Sequence, residues 1–268
     1  MDINTSYNTN LQSLSGVQTT SLEKLSSALA INKAADDASG LQISDNLGIQ
    51  KSSLTQEIEN MNSGIAMSTI AQDGIASQKE LLEDIKTETL KAMNATTSDE
   101  GKQSISDQIS KYLDQYDQIA NTTTYNNQSL LDADGSTSDD LSIVGDDNII
   151  EMSKTDTKSI SSSMRDLLSD FTTNGDSMNA MLEAVDTGLS QLAGFASDYG
   201  SASNAFEASA KMALSSKTDI ATSQSTIMDI DYAKESSDFN KTNLQSQIGL
   251  IMLSQANAVQ SRNVTLLS

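Results

Sequence analysis

LEAVDTGLSQLAGFASDYGSASNAFEASAKMALSSKTDIATSQSTI, residues 182 to 227, decides the fold. At alternating steps of three and four it runs Leu182, Val185, Leu189, Leu192, Ala196, Tyr199, Ser203, Phe206, Ala210, Ala213, Lys217, Ile220, Gln224, Ile227. That rhythm is a coiled-coil seam. Its middle knobs are small (Ala196, Ser203, Ala210, Ala213), which lets a partner helix approach closely. Lys217 and Gln224 interrupt the apolar line and help fix register. The stretch is far longer than an ordinary globular helix of 8–20 residues. It must therefore find partner helices elsewhere in this chain or in other chains.

Composition narrows what such a chain can do. It has 268 residues, 37% hydrophobic but 4% aromatic, so it buries helix seams more readily than a thick globular core. Proline is absent, so nothing rigidly breaks a helix. Histidine and cysteine are absent too, which removes Ser/His/Asp and Cys/His catalysis, thiol chemistry and the usual zinc and haem ligands. No enzyme and no cofactor is expected. The net charge of −21 repels nucleic acid and anionic membrane surfaces. The apolar run Leu250 to Leu253 is too short to span a bilayer. The opening MDINTSYNTN lacks the basic and apolar regions of a cleaved signal, so these signals alone keep the chain in the cytoplasm unless it leaves by another route.

Outward from the seam, the expected class is mainly α: a long antiparallel helical rod or coiled-coil bundle with a small β-hairpin and paired terminal helices. The spacing divides the chain at 1–40, 41–131, 132–181, 182–231 and 232–268. The first segment is thinly apolar (Ile3, Tyr7, Leu11, Leu14, Leu22, Leu25, Leu29), and Asp36, Asp37 and Gly40 mark a connector. A second rod runs from about Gln42 to Met93, with Leu54, Ile58, Met61 and Ile65 spaced 4-3-4. Residues 94–101 form a turn with a helix start at Ser98-Asp99-Glu100. A third helix, seamed by Ile105, Ile109, Tyr112, Tyr116 and Ile119, runs back along the second. NTTTYNNQ reads as loop, and one strand pair is expected, Leu141–Val144 with Ile149–Met152. Helical pattern returns weakly at Ile160, Met164, Leu167, Leu168 and Phe171. Met228 to Tyr232 is another acidic joint, and the last segment carries Leu244, Ile248, Ile251, Met252 and Val259 on a polar background. The acidic run 132–147 is no calcium loop, because Gly135 falls at the fourth place and no Glu closes it.

LEKLSSALAINKAADDASGLQISDNL (22–47) resembles the N-terminal signature of bacterial flagellins, and MDIDYAKESSDFNKTNLQSQIGLIMLSQANAVQSRNVTLLS (228–268) resembles their C-terminal one. Ile3-Asn4-Thr5, the run from Ile119 to Asn127, and Leu130-Leu131 agree. The likeness covers about the first 135 and last 85 residues. It departs at Ala28 and Ala30, where the family usually has Gly and Arg, and at Ser268, where it often has Arg.

The resemblance implies a secreted homo-polymer, the extracellular motility filament of the bacterial flagellum, here without a large outer domain. Its inner contacts would be Leu11, Leu14, Leu22, Leu25, Leu244, Ile248, Ile251 and Val259. It also implies type III export, cap and hook-associated partners, and a chaperone on Leu244, Ile248, Ile251 and Met252. In many flagellins a segment like LQRVRELAVQ is gripped by Toll-like receptor 5. The aligned Leu82 to Lys91 carries Asp84, Lys86 and Glu88, with Asp84 where the family often has Arg and Glu88 where it has Leu, which implies weak or no recognition. A hook–filament junction protein and a non-flagellar coiled-coil scaffold are the alternatives.

Overall fold

The computed structural model describes the backbone of residues 2–94, 96–132, 141–144, 149–152, 155–172 and 175–267, and the side chains of 9–94, 96–132, 152, 155–172 and 175–262. Among them lie six helices and four short strands: α1 Asp2–Ser27, α2 Ala38–Ala92, α3 Asp99–Thr122, β1 Thr124–Tyr125, β2 Gln128–Ser129, β3 Leu141–Val144, β4 Ile149–Met152, α4 Lys158–Leu168, α5 Gly175–Met228 and α6 Tyr232–Leu267. The chain forms two compact units, one of Met1–Ser52 with Lys217–Ser268 and one of Ser53–Ser216. Helices α2 and α5 contribute to both.

In the larger unit, α2 buries one continuous line: Met61, Gly64, Ser68, Ala71, Ile75, Gln78, Leu82, Ile85, Thr89 and Ala92. The steps alternate three and four, so this is a heptad seam, and six of its ten knobs are small or polar. The polar knobs Ser68, Gln78 and Thr89 donate hydrogen bonds, although Gln78 Oε1 is buried without a partner. Thr89 Oγ1 donates to Ile85 O at 2.7 Å, and Gln78 Nε2 donates to Tyr116 O at 3.3 Å and Thr157 Oγ1 at 2.9 Å. Met61 is the buried member of the expected 4-3-4 line, while Leu54, Ile58 and Ile65 are half-buried.

Helix α3 starts where Ser98 caps it, its hydroxyl accepting the Gly101 amide at 3.2 Å. It buries Ser106, Ile109, Leu113, Tyr116 and Ala120. The line read from the sequence is thus rotated by one residue at three places, with Ile105, Tyr112 and Ile119 half-buried beside it. It runs antiparallel to α2: Gln78 meets Tyr116, whereas Gly74 lies against Thr123 and Leu131.

Helix α5 buries Met178, Met181, Val185, Gly188, Leu192, Tyr199, Phe206 and Ala213. It is antiparallel to α2 as well, since Lys86 pairs with Asp186 at 2.6 Å and Gly188 packs on Leu82. Fully buried Leu82, Ile85, Leu113 and Phe206 each contribute about 1.5–3 kcal/mol of transfer free energy. Helix α4 closes the unit with Ile160 and Met164 inward, and Arg165 Nη2 bridges Asp114 at 2.9 Å and Asp117 at 2.7 Å on α3.

Two strand pairs occur where one was expected. Strands β1 and β2 form a hairpin through Asn126 (φ 48°) and Asn127 (φ 65°), the pair of positive φ values that a tight two-residue turn requires. Strands β3 and β4 pair antiparallel, Leu141 opposite Met152 and Val144 opposite Ile149. Their connection, and most of the acidic run 132–147, lie outside the described residues. Beyond β2, the Thr155 and Thr157 amides donate to Leu130 O and Leu131 O at 3.3 and 3.1 Å. Tyr199 pins this crossing, its hydroxyl lying 2.8 Å from Leu130 O and 2.7 Å from Thr155 Oγ1.

Candidate assembly surface

The smaller unit pairs the two terminal helices. Helices α1 and α6 pack side by side, and Leu11 lies over Gly249 near one end while Leu29 bridges Asp229 at the other, so they run antiparallel. The inward line of α1 is Leu11, Leu14, Gln18, Ser21 and Leu25, all half-buried or buried. On α6 the half-buried line is Phe239, Thr242, Ser246, Gly249, Leu253 and Ala256, again in steps of three and four. Small and hydroxyl side chains let these two helices approach without much apolar area.

The joint between the helices is built from backbone and carboxylates. Ala30 N donates to Met228 O at 2.6 Å and Ile230 N to Ala28 O at 3.2 Å, and Ala28 takes a left-handed φ of 59° to turn the chain out of α1. Asp36 accepts the Asn32 and Lys33 amides at 3.0 and 3.1 Å, which hold its carboxyl below the usual range. Asp37 caps α2 through the Ser39 and Gly40 amides at 3.0 and 2.9 Å. At the seam interruption, Gln224 Nε2 donates to Ser44 O and Ser44 Oγ at 3.2 Å, and Lys51 Nζ donates to Gln224 Oε1 at 3.0 Å. Of the seam positions from Leu182 to Ile227, Val185, Leu192, Tyr199, Phe206 and Ala213 are buried and the others half-buried, Leu182, Leu189, Ile220 and Ile227 among them.

The apolar stripe of α6 lies elsewhere. Leu244 is 59% exposed, Ile248 51%, Ile251 65%, Met252 53% and Val259 51%. At 100° per residue Leu244 and Ile251 fall opposite the line that meets α1, and Ile248, Val259 and Met252 fall on the adjoining flank. Within one chain, Leu11, Leu14 and Leu25 face inward, whereas Leu22 and all five α6 residues face solvent and are left for contacts with other copies. The reason is geometric. A helix has two sides, and the side toward α1 carries mostly small residues with Phe239 and Leu253 among them, which leaves the longer apolar row on the other. Exposed Val17, Ile43 and Ile49 add to the apolar surface of the same unit.

A row of large side chains in water on one helix is an unfilled contact. Among the described residues no cluster of acidic side chains is placed to hold a metal ion, and no helix is long and apolar enough to cross a membrane. In the larger unit, Asp84 is exposed, Lys86 is held by Asp186, and Glu88 is half-buried and paired with Lys91 at 2.7 Å.

The family model of the bacterial flagellin N-terminal helical region matches residues 2–136, and that of the C-terminal helical region matches residues 182–267. Flagellin of Bacillus subtilis (strain 168) is 30% identical over 275 residues, covering 91% of this chain and 90% of that one. Flagellin of Halalkalibacterium halodurans is 29% identical over 238 residues, covering 88% and 86%. A solved Vibrio parahaemolyticus structure, assigned as a flagellar hook-associated protein, is similar in fold with a TM-score of 0.65 at 13% identity, covering 72% of this chain and 100% of that one.

Proposed function

The chain belongs to the bacterial flagellin family and is a structural subunit of the flagellar filament, and on that premise we propose that the outward face of α6 is the surface through which it polymerises. The observation that carries this reading is the exposure of Leu244, Ile248, Ile251 and Val259 on the side of α6 turned away from α1. Burying each fully against a neighbour is worth about 1.5–3 kcal/mol of transfer free energy. An apolar patch that meets a different patch on the next copy elongates without closing, which yields a filament. The coverage of both chain ends by flagellin family models favours filament over junction protein; likeness to the Vibrio structure at 13% identity speaks to fold alone. The chain has no enzymatic role, consistent with the lack of histidine and cysteine. Electron microscopy after salt-induced assembly of the purified subunit tests this: long tubes of uniform diameter are expected, and only short or closed oligomers would overturn it.

Before assembly the subunit leaves the cell by the flagellar export route, with a chaperone covering Leu244, Ile248, Ile251 and Met252, and in the filament it meets cap and hook-associated proteins. An apolar helix face of this kind fits a groove-type partner. Toll-like receptor 5 engages the subunit poorly, because Asp84 reverses a charge and Glu88 sets a carboxylate against an apolar contact. Each change costs on the order of 1–3 kcal/mol, together about a hundredfold in affinity. Activation of a receptor reporter line by soluble subunit, at doses where a typical flagellin works, would contradict this.

A further inference from the structure

The described methionines fall into three environments, with Met228 half-buried between the extremes. Met61, Met67, Met152, Met164, Met178 and Met181 are at most 6% exposed, whereas Met93 is 40%, Met212 62% and Met252 53% exposed. The chain has no cysteine, so thioethers are its only sulfur groups. Met252 alone of the exposed three stands in the apolar stripe of α6, four residues from Ile248 and next to Ile251.

We propose that Met252 is an oxidation site that gates assembly: sulfoxidation of the free subunit by a peroxide-class oxidant blocks its entry into the filament. The inference rests on the reading of the α6 face as the polymerising surface. In the step, the Met252 sulfur attacks one peroxide oxygen, the O–O bond breaks and an S–O bond forms. Sulfur loses two electrons, and the other oxygen leaves as water after a proton shift. The product carries a strongly accepting oxygen on a side chain that must be dehydrated when the stripe is covered. Residues buried in the core are shielded from this reaction by their packing. Because sulfoxides are enzymatically reducible, the block is reversible.

The test is graded hydrogen peroxide treatment of the purified monomer, followed by peptide mass spectrometry and seeded elongation. Met93, Met212 and Met252 are expected to oxidise before the six buried methionines. Loss of elongation should track the Met252 sulfoxide fraction, with a rise of about tenfold or more in critical concentration. Met252→Leu should elongate normally after the same treatment, and methionine sulfoxide reductase should restore the oxidised wild type. Wild-type monomer fully oxidised at Met252 yet elongating at the untreated rate would overturn the proposal, as would Met252→Leu inhibited as strongly as wild type. Ile251→Asp separates the two readings. If it elongates normally without oxidant, the assembly surface itself is wrong; if it fails while Met252 sulfoxide is harmless, only the oxidation site falls.

Discussion

Replacing Gly188 with alanine should destabilise the subunit, although alanine is the better helix former. A Cβ at position 188 would lie 2.7 Å from Ile160 Cγ2, 3.1 Å from Leu82 Cδ1 and 3.3 Å from Met164 Cε. The first of these belongs to a β-branched side chain that is stiff at χ1 and itself buried. The methyl group therefore forces α4 and α5 apart or drives Ile160 from its rotamer, at a cost of about 1–3 kcal/mol. Improved helix propensity returns about 1 kcal/mol. The net loss is up to about 2 kcal/mol by that difference. Gly194 lies on the same helix with nothing within 4 Å of its would-be Cβ. There the same substitution has only the gain, about 1 kcal/mol. Thermal unfolding of the monomer should show the two variants moving in opposite directions, and a shift of 1 kcal/mol corresponds to about 2–4 °C for a unit of this size. Equal stabilisation by both would refute the convergence of α2, α4 and α5 at Gly188.

Tyr199→Phe strips the buried Leu130 carbonyl and Thr155 hydroxyl of a partner, so unfolding free energy should fall by about 1–3 kcal/mol; an unchanged urea midpoint would contradict that. Burial raises the Tyr116 and Tyr199 phenols above their ordinary value. Above about pH 10 the unfolded chain releases these protons first, so stability is level below that pH and falls above it by up to about 1.4 kcal/mol per unit per tyrosine. Urea midpoints that rose above pH 10 would reverse the sign. Ala28→Gly removes a β-carbon from a left-handed residue at φ 59° and should stabilise by up to about 1 kcal/mol, read as a higher thermal midpoint. A lower midpoint would mean that the turn out of α1 carries no strain. With a net charge of −21, polymerisation should accelerate as ionic strength rises through about 0.1 M, where the screening length is roughly 10 Å; light scattering that grew faster at lower salt would contradict it.

The helical class, the connectors and the Ser98 helix start were legible because each rests on local chemistry: heptad spacing, paired aspartates, a capping hydroxyl. Seam phase was harder. Ile105 and Ile119 outrank Ser106 and Ala120 in hydrophobicity, yet the smaller pair is buried, because closely packed helices need short side chains at the line of contact. The same reason hides the long seam of α2, where Gly64, Ser68, Ala71, Gln78, Thr89 and Ala92 carry little apolar signal. The β1–β2 hairpin had a sign in Asn126-Asn127, the residue type that tolerates positive φ. For the α6 stripe the limit is of another kind. Apolar periodicity says that a face seeks cover but not from which chain, and α6 carries two periodic faces of which α1 takes the less hydrophobic.

If the outward face of α6 joins one subunit to the next, an Ile248→Asp, Ile251→Asp double variant should fail in seeded elongation. Both side chains are more than half exposed, so the monomer should keep its helix content and its urea midpoint. Elongation from wild-type seeds should be abolished, since two buried carboxylates would each cost several kcal/mol at the contact. Filaments of normal length and growth rate from this variant would show that subunits join through another surface.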